Sequence, residues 1–159
     1  MSYLSKLDSI DRRILKILQA NGKITNAQLA IEIGLSPAPT LERVKKLERK
    51  GVIASYHAKL DLQMIGNGVS TFVLATLKSQ SKKYLEQFVK SIEAIDEVVE
   101  CHHITGAGDF ILKIVCKDIQ AYQQLMLEKV SDIEGIDNLQ SMIALSTYKD
   151  SKVIPIPPL

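Results

Sequence analysis

Apolar residues follow two different rhythms along this chain, and the rhythm changes near residue 68. In the first stretch they recur at helical spacing. Ile10, Ile14, Ile17 and Leu18 share one face of a helix that opens at Asp8, a residue suited to the N-cap, and stops at Asn21-Gly22. Thr25-x-x-Gln28 reads as a capping box for a second, short helix whose buried face is Leu29, Ala30 and Ile33 and which Gly34 ends. A third helix is expected to start at Ser36. Pro37 and Pro39 then fall in the first turn, where no intrahelical N–H bond is lost. Leu41, Val44 and Leu47 are its expected inward positions, Gly51 its stop, and Val52 to Leu60 an extended segment that suggests a wing.

Residues 61–68 read as a linker interrupted by Gly66 and Gly68. Beyond it the period shortens. Val69 to Leu77 is strand-like, rich in Val, Thr and Phe. Tyr84 to Ile95 is amphipathic through Leu85, Phe88, Val89 and Ile92. Val98 to Thr105 and Phe110 to Cys116 are two strands about a four-residue glycine turn. A helix capped by Asp118 runs through Tyr122, Leu125 and Val130, and Leu139 to Thr147 is a last strand. The order β-α-β-β-α-β is that of a ferredoxin-like sandwich. The fold class is therefore α+β: a winged helix-turn-helix over 1–60, the linker 61–68, a ferredoxin-like domain over 69–150, and a loose proline-rich tail over 151–159.

Charge sharpens this division. The net charge is only +2, but residues 1–60 carry eleven Lys and Arg against five Asp and Glu, a net of +6. The remainder carries nine against thirteen, a net of −4. A basic half joined to an acidic half points to a polyanionic partner for one domain only. Met1 to Leu7 has no apolar core of a signal peptide, and no apolar run approaches the ~20 residues that span a bilayer. A cytoplasmic protein with no membrane partner is expected, with Cys101 and Cys116 reduced.

Two short helices joined by Gly34-Leu35, the second of them basic, fit a helix-turn-helix that places its second helix in the DNA major groove. With Leu41, Val44 and Leu47 inside, Ala38, Pro39, Glu42, Arg43, Lys45, Lys46 and Arg49 face outward. Small residues at the helix start allow a close approach to DNA. Arg43 would reach a guanine edge or a phosphate, while Lys45, Lys46 and Arg49 would meet phosphates. Glu42 would accept from cytosine or hold Arg43. The candidate DNA-binding set is Asn26, Gln28, Ser36, Ala38, Thr40, Glu42, Arg43, Lys45, Lys46 and Arg49.

Leu7-Asp8-x-x-Asp11, Ile14-Leu15, Leu18-Gln19, Asn21-Gly22-Lys23-Ile24, Leu29-Ala30, Gly34-Leu35-Ser36-Pro37, Leu41-x-Arg43-Val44-x-x-Leu47-Glu48, Gly51-Val52-Ile53 and Tyr56 occur in that order. Together they resemble the N-terminal domain of the Lrp/AsnC (leucine-responsive/asparagine regulator) family of transcriptional regulators. Glu100-Cys101-His102, Thr105-Gly106, Asp109-Phe110 and Leu112 resemble the second half of that family's sensing domain. The resemblance runs from about Leu7 to Lys149. It implies a sequence-specific DNA-binding regulator, not an enzyme, and a homodimer that assembles to tetramers or octamers. It also implies a small effector, an amino acid such as leucine or methionine, bound near the Gly106-to-Asp109 turn. The chain departs from the family at Ala107-Gly108, where an aromatic or acidic residue is frequent.

With Thr105 set opposite Phe110, residues Val99, Cys101, His103, Thr105, Phe110, Leu112, Ile114 and Cys116 share one sheet face. Val98, Glu100, His102, Ile104, Ile111, Lys113 and Val115 share the other. Both faces carry apolar residues, so the face away from the helices calls for a second copy of the chain. A Gly-Ala-Gly-Asp turn offers backbone N–H donors for a carboxylate and one acceptor for an ammonium. The candidate effector set is accordingly Thr105, Gly106, Ala107, Gly108 and Asp109 for the amino-acid backbone, with Met142 and Ala144 for its side chain. Cys101, His103 and Cys116 share a face but lack metal-site spacing, so no metal, cofactor or catalytic set is expected. Two rival functions remain: an enzyme, since haem-pathway decarboxylases resemble this family, and a chromosome-architectural protein with little sequence choice. The acidic second half argues against the first.

Overall fold

The computed structural model describes residues 7–157. Its elements in order are α1 (Ser9–Ala20), α2 (Asn26–Ile33), α3 (Pro37–Arg49), β1 (Val69–Leu77), α4 (Lys82–Glu93), β2 (Val98–His103), β3 (Phe110–Cys116), α5 (Ile119–Leu125), continued by one π turn over Met126–Val130, and β4 (Ile136–Ile143). They form two compact units: a head of residues 1–59 together with 149–159, and a sensing half of residues 60–148.

The head is held by local signals. Asp8 caps α1, its carboxylate accepting from the Asp11 N–H at 2.8 Å. The capping box of α2 is complete, with the Thr25 hydroxyl and Gln28 side chain each serving the other's backbone. Gly34 ends α2 in the left-handed region, φ 76°. Leu7, Ile14, Leu29, Ile33 and Leu47 form the core where the three helices meet.

Three expectations for the head are corrected. The inward stripe of α3 is Thr40, Val44 and Leu47 rather than Leu41, Val44 and Leu47: Thr40 is fully buried and Leu41 is 40% exposed. The Thr40 hydroxyl is satisfied by donating to the Ser36 carbonyl at 2.9 Å, so a polar residue holds this position at no desolvation cost. No strand forms over 52–60, so the wing is absent as a β-element. Instead the N–H groups of Val52 and Ile53 both donate to the Leu47 carbonyl, closing the end of α3, and both side chains pack on the head core. Residues 151–157 of the segment expected to be a loose tail are packed on the head and hydrogen-bonded to it.

The sensing half is a four-stranded antiparallel sheet in the order β2-β3-β1-β4, with α4 and the α5 region on one face. This is the ferredoxin-like arrangement. Val73, Ala75 and Leu77 of β1 and Phe110, Leu112, Ile114 and Cys116 of β3 point toward Phe88, Ile92, Tyr122, Leu125 and Val130. β4 begins at Ile136 and ends at Ile143, three residues before and four residues before the expected bounds. Gly135, φ 95°, sets the start, and a Cβ there would lie 2.5 Å from the Tyr84 ring. Among the described residues no helix is long and apolar enough to cross a membrane.

The β2–β3 register differs from expectation by two residues. His103, not Thr105, faces Phe110, and the connection spans 104–109. Because side chains alternate with period two, a slip of two leaves Cys101, His103, Phe110, Leu112 and Ile114 on their expected face. An irregularity between Val98 and Glu100 then puts Val98 opposite Ile114, half-buried on the core, and leaves Val99 exposed.

Thr71, in the middle of β1, is fully buried, and its hydroxyl has no hydrogen-bond partner. Replacing it with valine removes an unsatisfied polar atom at nearly constant volume. Thr71→Val is expected to stabilise the protein by about 1 kcal/mol. Equilibrium urea unfolding of both proteins checks this, with a raised midpoint at unchanged slope as the expected result.

Candidate functional site

The outward face of α3 is the candidate DNA interface. Ser36, Ala38, Pro39, Glu42, Lys45, Lys46 and Arg49 are all exposed. Ala38, Glu42, Lys45 and Arg49 are spaced by four, three and four residues and so form one stripe along the helix. Small residues stand at its N-terminal end and cations at its C-terminal end. Ser36 starts the helix without a side-chain cap bond.

Four candidate residues do structural work instead. Thr40 is buried and belongs to the core, as above. The Asn26 side chain donates to the Pro37 carbonyl at 2.8 Å, tying the start of α2 to the start of α3. The Gln28 side-chain oxygen is engaged in the capping box. Arg43 turns toward α1, where its guanidinium donates at 2.7 Å to both Asp8 and Asp11. Asp11 is 2% exposed, so its charge needs this cation close by. Arg43, expected on the outward face, is thus turned to α1 and holds α3 against it. The acidic pair Asp8-x-x-Asp11 was the available signal, because one carboxylate caps the helix and the other falls in its first turn.

Burial works to raise the Asp8 carboxyl pKa. The Asp11 backbone N–H and Arg43 outweigh it and hold the group below its ordinary value of 3.8. Arg43 is pushed further up by its hydrogen bonds to the same two carboxylates. Beyond α3, Tyr56 donates to Glu48 at 3.0 Å, and burial together with that carboxylate pushes its phenol up to about 12. The segment after α3 is pinned to the helix by a hydroxyl that stays protonated.

In the sensing half, the connection 104–109 folds back across the end of β1. The Asp109 N–H donates to the Ala75 carbonyl at 2.9 Å. Its carboxylate, on a residue 4% exposed, accepts from the Leu77 N–H at 2.7 Å and the Gln80 side-chain amide at 2.6 Å. The side chain thus continues the β1–β3 ladder where β3 stops. A Cβ on Gly108 would come within 2.7 Å of Leu74, so a larger residue cannot enter at this close crossing without displacement.

A hollow of about 440 Å³ opens here, lined by Thr76, Leu77, Gln80 and the continuous run His103 to Asp109. It brings together Thr105, Gly106, Ala107, Gly108 and Asp109. It does not include Met142 or Ala144. Met142 pairs with Phe72, and the Ala144 N–H donates to the Ser70 carbonyl, roughly 13 Å or more along β1 from Thr76. Within one copy these two residues lie apart from the hollow. Thr76, Leu77, Gln80, His103 and Ile104 were missed. The signal lay in the topology, since β1 and β3 are antiparallel neighbours and the end of β1 must lie beside the start of β3. The His103 ring stacks on Phe110 with centroids 4.8 Å apart. Among the described residues no group of three or more His, Cys, Asp or Glu could hold a metal.

Residues 7–54 match the winged helix-turn-helix DNA-binding family, and residues 70–154 match the Lrp/AsnC ligand binding domain. The chain belongs to the Lrp/AsnC family. The leucine-responsive regulatory protein of Escherichia coli is 36% identical over 150 residues, covering 94% of this chain and 92% of that protein. Among solved structures, a Neisseria meningitidis transcriptional regulator in complex with L-methionine matches at TM-score 0.89 and 32% identity, covering 94% of this chain and 96% of that one. Escherichia coli AsnC matches at TM-score 0.85 and 30% identity, covering 94% and 99%. This Lrp/AsnC protein is a DNA-binding transcriptional regulator with an amino-acid-binding domain, and its relatives are regulators, not enzymes.

Arg43→Ala leaves Asp11 buried without its cation and is expected to lower head stability by about 1–3 kcal/mol. DNA affinity should fall with it while the assembly of copies is unchanged. Thermal unfolding and size-exclusion chromatography check both parts. The Asp8 contribution has a definite sign. A carboxyl whose folded pKa lies below 3.8 stabilises the head above that value and loses its contribution as pH falls through the lowered value. Wild type should thus show an acid-dependent loss of stability below about pH 4 that is smaller in Asp8→Asn.

Proposed function

We propose that copies of this chain assemble face to face and read two half-sites on duplex DNA, under control of an uncharged amino acid bound beside Asp109. The exposed stripe of α3 supports the DNA part. Lys45, Lys46 and Arg49 meet phosphates, while Ala38 lets the helix approach the base edges and Glu42 accepts from cytosine. Arg43 is a positioning residue in this scheme.

The sheet face away from the helices supports self-association. Phe72, Leu74, Ile111 and Met142 lie side by side on it, with Phe72 and Met142 more than a third exposed. Apolar side chains grouped at the centre of an open sheet favour a partner sheet of the same kind. A two-fold assembly supplies two recognition helices, matched to half-sites about one or more DNA turns apart, ~34 Å each. Tetramers or octamers extend the same principle.

The effector reading rests on one observation above all: the buried Asp109 carboxyl group borders the hollow, and among the described residues its side-chain partners are two neutral donors. An acceptor so placed suits a ligand ammonium in the adjoining hollow. Exposed backbone at Thr105, Gly106 and Ala107 offers N–H donors to the ligand carboxylate. The Neisseria relative's bound L-methionine supports an apolar amino acid, leucine or methionine. Met142 and Ala144 would meet that side chain only from a second copy.

Isothermal titration of leucine and methionine into wild type and Asp109→Asn tests the effector site. Binding is expected in wild type and at least about tenfold weaker binding in the variant, as removal of one charge partner implies. Equal affinities would remove Asp109 from the site. For DNA, Lys45→Ala and Arg49→Ala should each reduce the salt slope of binding by about one counterion while leaving sequence preference intact. A specific-to-random affinity ratio near one would favour an architectural role instead.

A further inference from the structure

The head carries a surface that the regulator reading leaves unused. It lies along α1 and the segment after α3, and residues 150–157 of the same chain are seated on it. Three side chains of the head grip this segment, and all three reach its backbone. Lys59 Nζ donates to the Asp150 carbonyl at 2.6 Å and pairs with the Asp150 carboxylate at 3.1 Å. Gln19 makes a two-way clamp on Ile154, donating to its carbonyl at 3.2 Å and accepting from its N–H at 2.8 Å. Arg12 donates to the Pro157 carbonyl and to the Leu7 carbonyl, and is 8% exposed with the segment in place.

These contacts match the chemistry of the segment. Proline has a carbonyl but no N–H, and the clamp at Pro157 uses the carbonyl alone. Ile154 has both groups, and Gln19 uses both. Pro155 and Pro157 fix φ in advance, so an extended segment docks at reduced entropic cost. Ile156 is half-buried where the neighbouring residues are exposed, and it lines a shared hollow with Leu15, Leu18, Val52 and Tyr56. That hollow, about 530 Å³, is open to solvent, so the segment covers the head's apolar flank only in part.

We infer that residues 150–157 are a releasable strap on a peptide-binding surface of the head, and that the strap limits how freely the head turns on the sensing half. The chain passes between the two units twice, near residues 59–60 and near residues 148–149. The Lys59–Asp150 pair joins those two passages on the head side. With the strap seated, the head is held by two coupled tethers. With the strap released, only the 61–68 connection restrains it. The strap therefore sets how strictly an assembly reads the spacing of two half-sites. This last step rests on the proposed DNA reading; the seating of the strap does not.

The experiment uses the full chain, a chain lacking residues 150–159, and the full-length variants Gln19→Ala and Ile156→Asp. Hydrogen exchange is measured at every amide, with β1 and β3 of the sensing half as an internal control of folding. Amides of α1 and of residues 52–56 should exchange about tenfold faster in the shortened chain and by intermediate amounts in the point variants. β1 and β3 should be unchanged. A synthetic peptide of residues 149–159, added to the shortened chain, should restore the protection. Unchanged exchange in all three altered proteins, or a peptide without effect, overturns the strap. The second arm measures affinity for two half-sites whose spacing is changed by about five base pairs, half a DNA turn. Wild type should lose at least about tenfold in affinity and the shortened chain threefold or less. Equal losses overturn the coupling of strap to spacing. If wild type itself ignores duplex DNA, the DNA reading fails and the exchange arm still decides the strap.

Discussion

One buried charge orders the DNA-binding half. Asp11 lies almost wholly out of water in the first turn of α1, and a carboxylate in that position must have a cation within reach. Arg43 supplies it from the middle of α3, with Asp8 as a second acceptor on the same guanidinium. The consequence is geometric. One guanidinium nitrogen, Nη1, held at 2.7 Å from both carboxylates, ties the middle of α3 to the start of α1 and so limits its roll as well as its distance. The same roll buries Thr40 and presents Ala38, Glu42, Lys45 and Arg49 as a stripe. A recognition helix is useful only if its outward side chains meet DNA in one orientation, so a residue that does not face DNA decides what the others can reach.

The sensing half uses a buried carboxylate for a different end. Asp109 pairs with no cation among the described residues. It replaces a missing rung of the ladder, receiving the Leu77 N–H where β3 no longer reaches, and it draws Gln80 in beside it. Ile104 closes the connection by donating to the Asp109 carbonyl, and Thr105 to Ala107 between them are exposed to a solute. Negative charge held by neutral donors is a poor resting arrangement for stability and a good one for attracting a cationic group. The two aspartates show how neighbours separate roles: Asp11 is ion-paired and structural, whereas Asp109 accepts from neutral donors and borders a hollow.

Both units leave apolar surface that the single chain does not fully cover. In the sensing half it is the open sheet face around Phe72 and Met142, suited in shape and polarity to another sheet. In the head it is the flank of α1, where residues 150–157 supply a partial cover.

Much of this was legible from residues alone, because the relevant signals are local. Caps at Asp8, Thr25-Gln28 and Asp118, the stops at Asn21 and Gly34, the spans of β1 and β3, and the ferredoxin-like order all follow from spacing, capping chemistry and strand propensity. The charge division and the chain of short motifs marked the DNA-binding half and the family. What the sequence could not decide was which way a side chain turns when two readings satisfy the same periodicity. Arg43 fits an outward basic face as well as a bridge to α1, and only the packed position of Asp11 selects the bridge. Leu41 and Thr40 differ by one step of helical phase, and a local bond from the Thr40 hydroxyl to Ser36 allowed the polar residue to be the buried one. The two-residue shift in β2, the closing of the ladder by Asp109 and the seating of residues 150–157 on α1 all join positions distant in the chain. Such pairings depend on tertiary distances, which spacing along the chain does not encode, and there the fold alone was decisive.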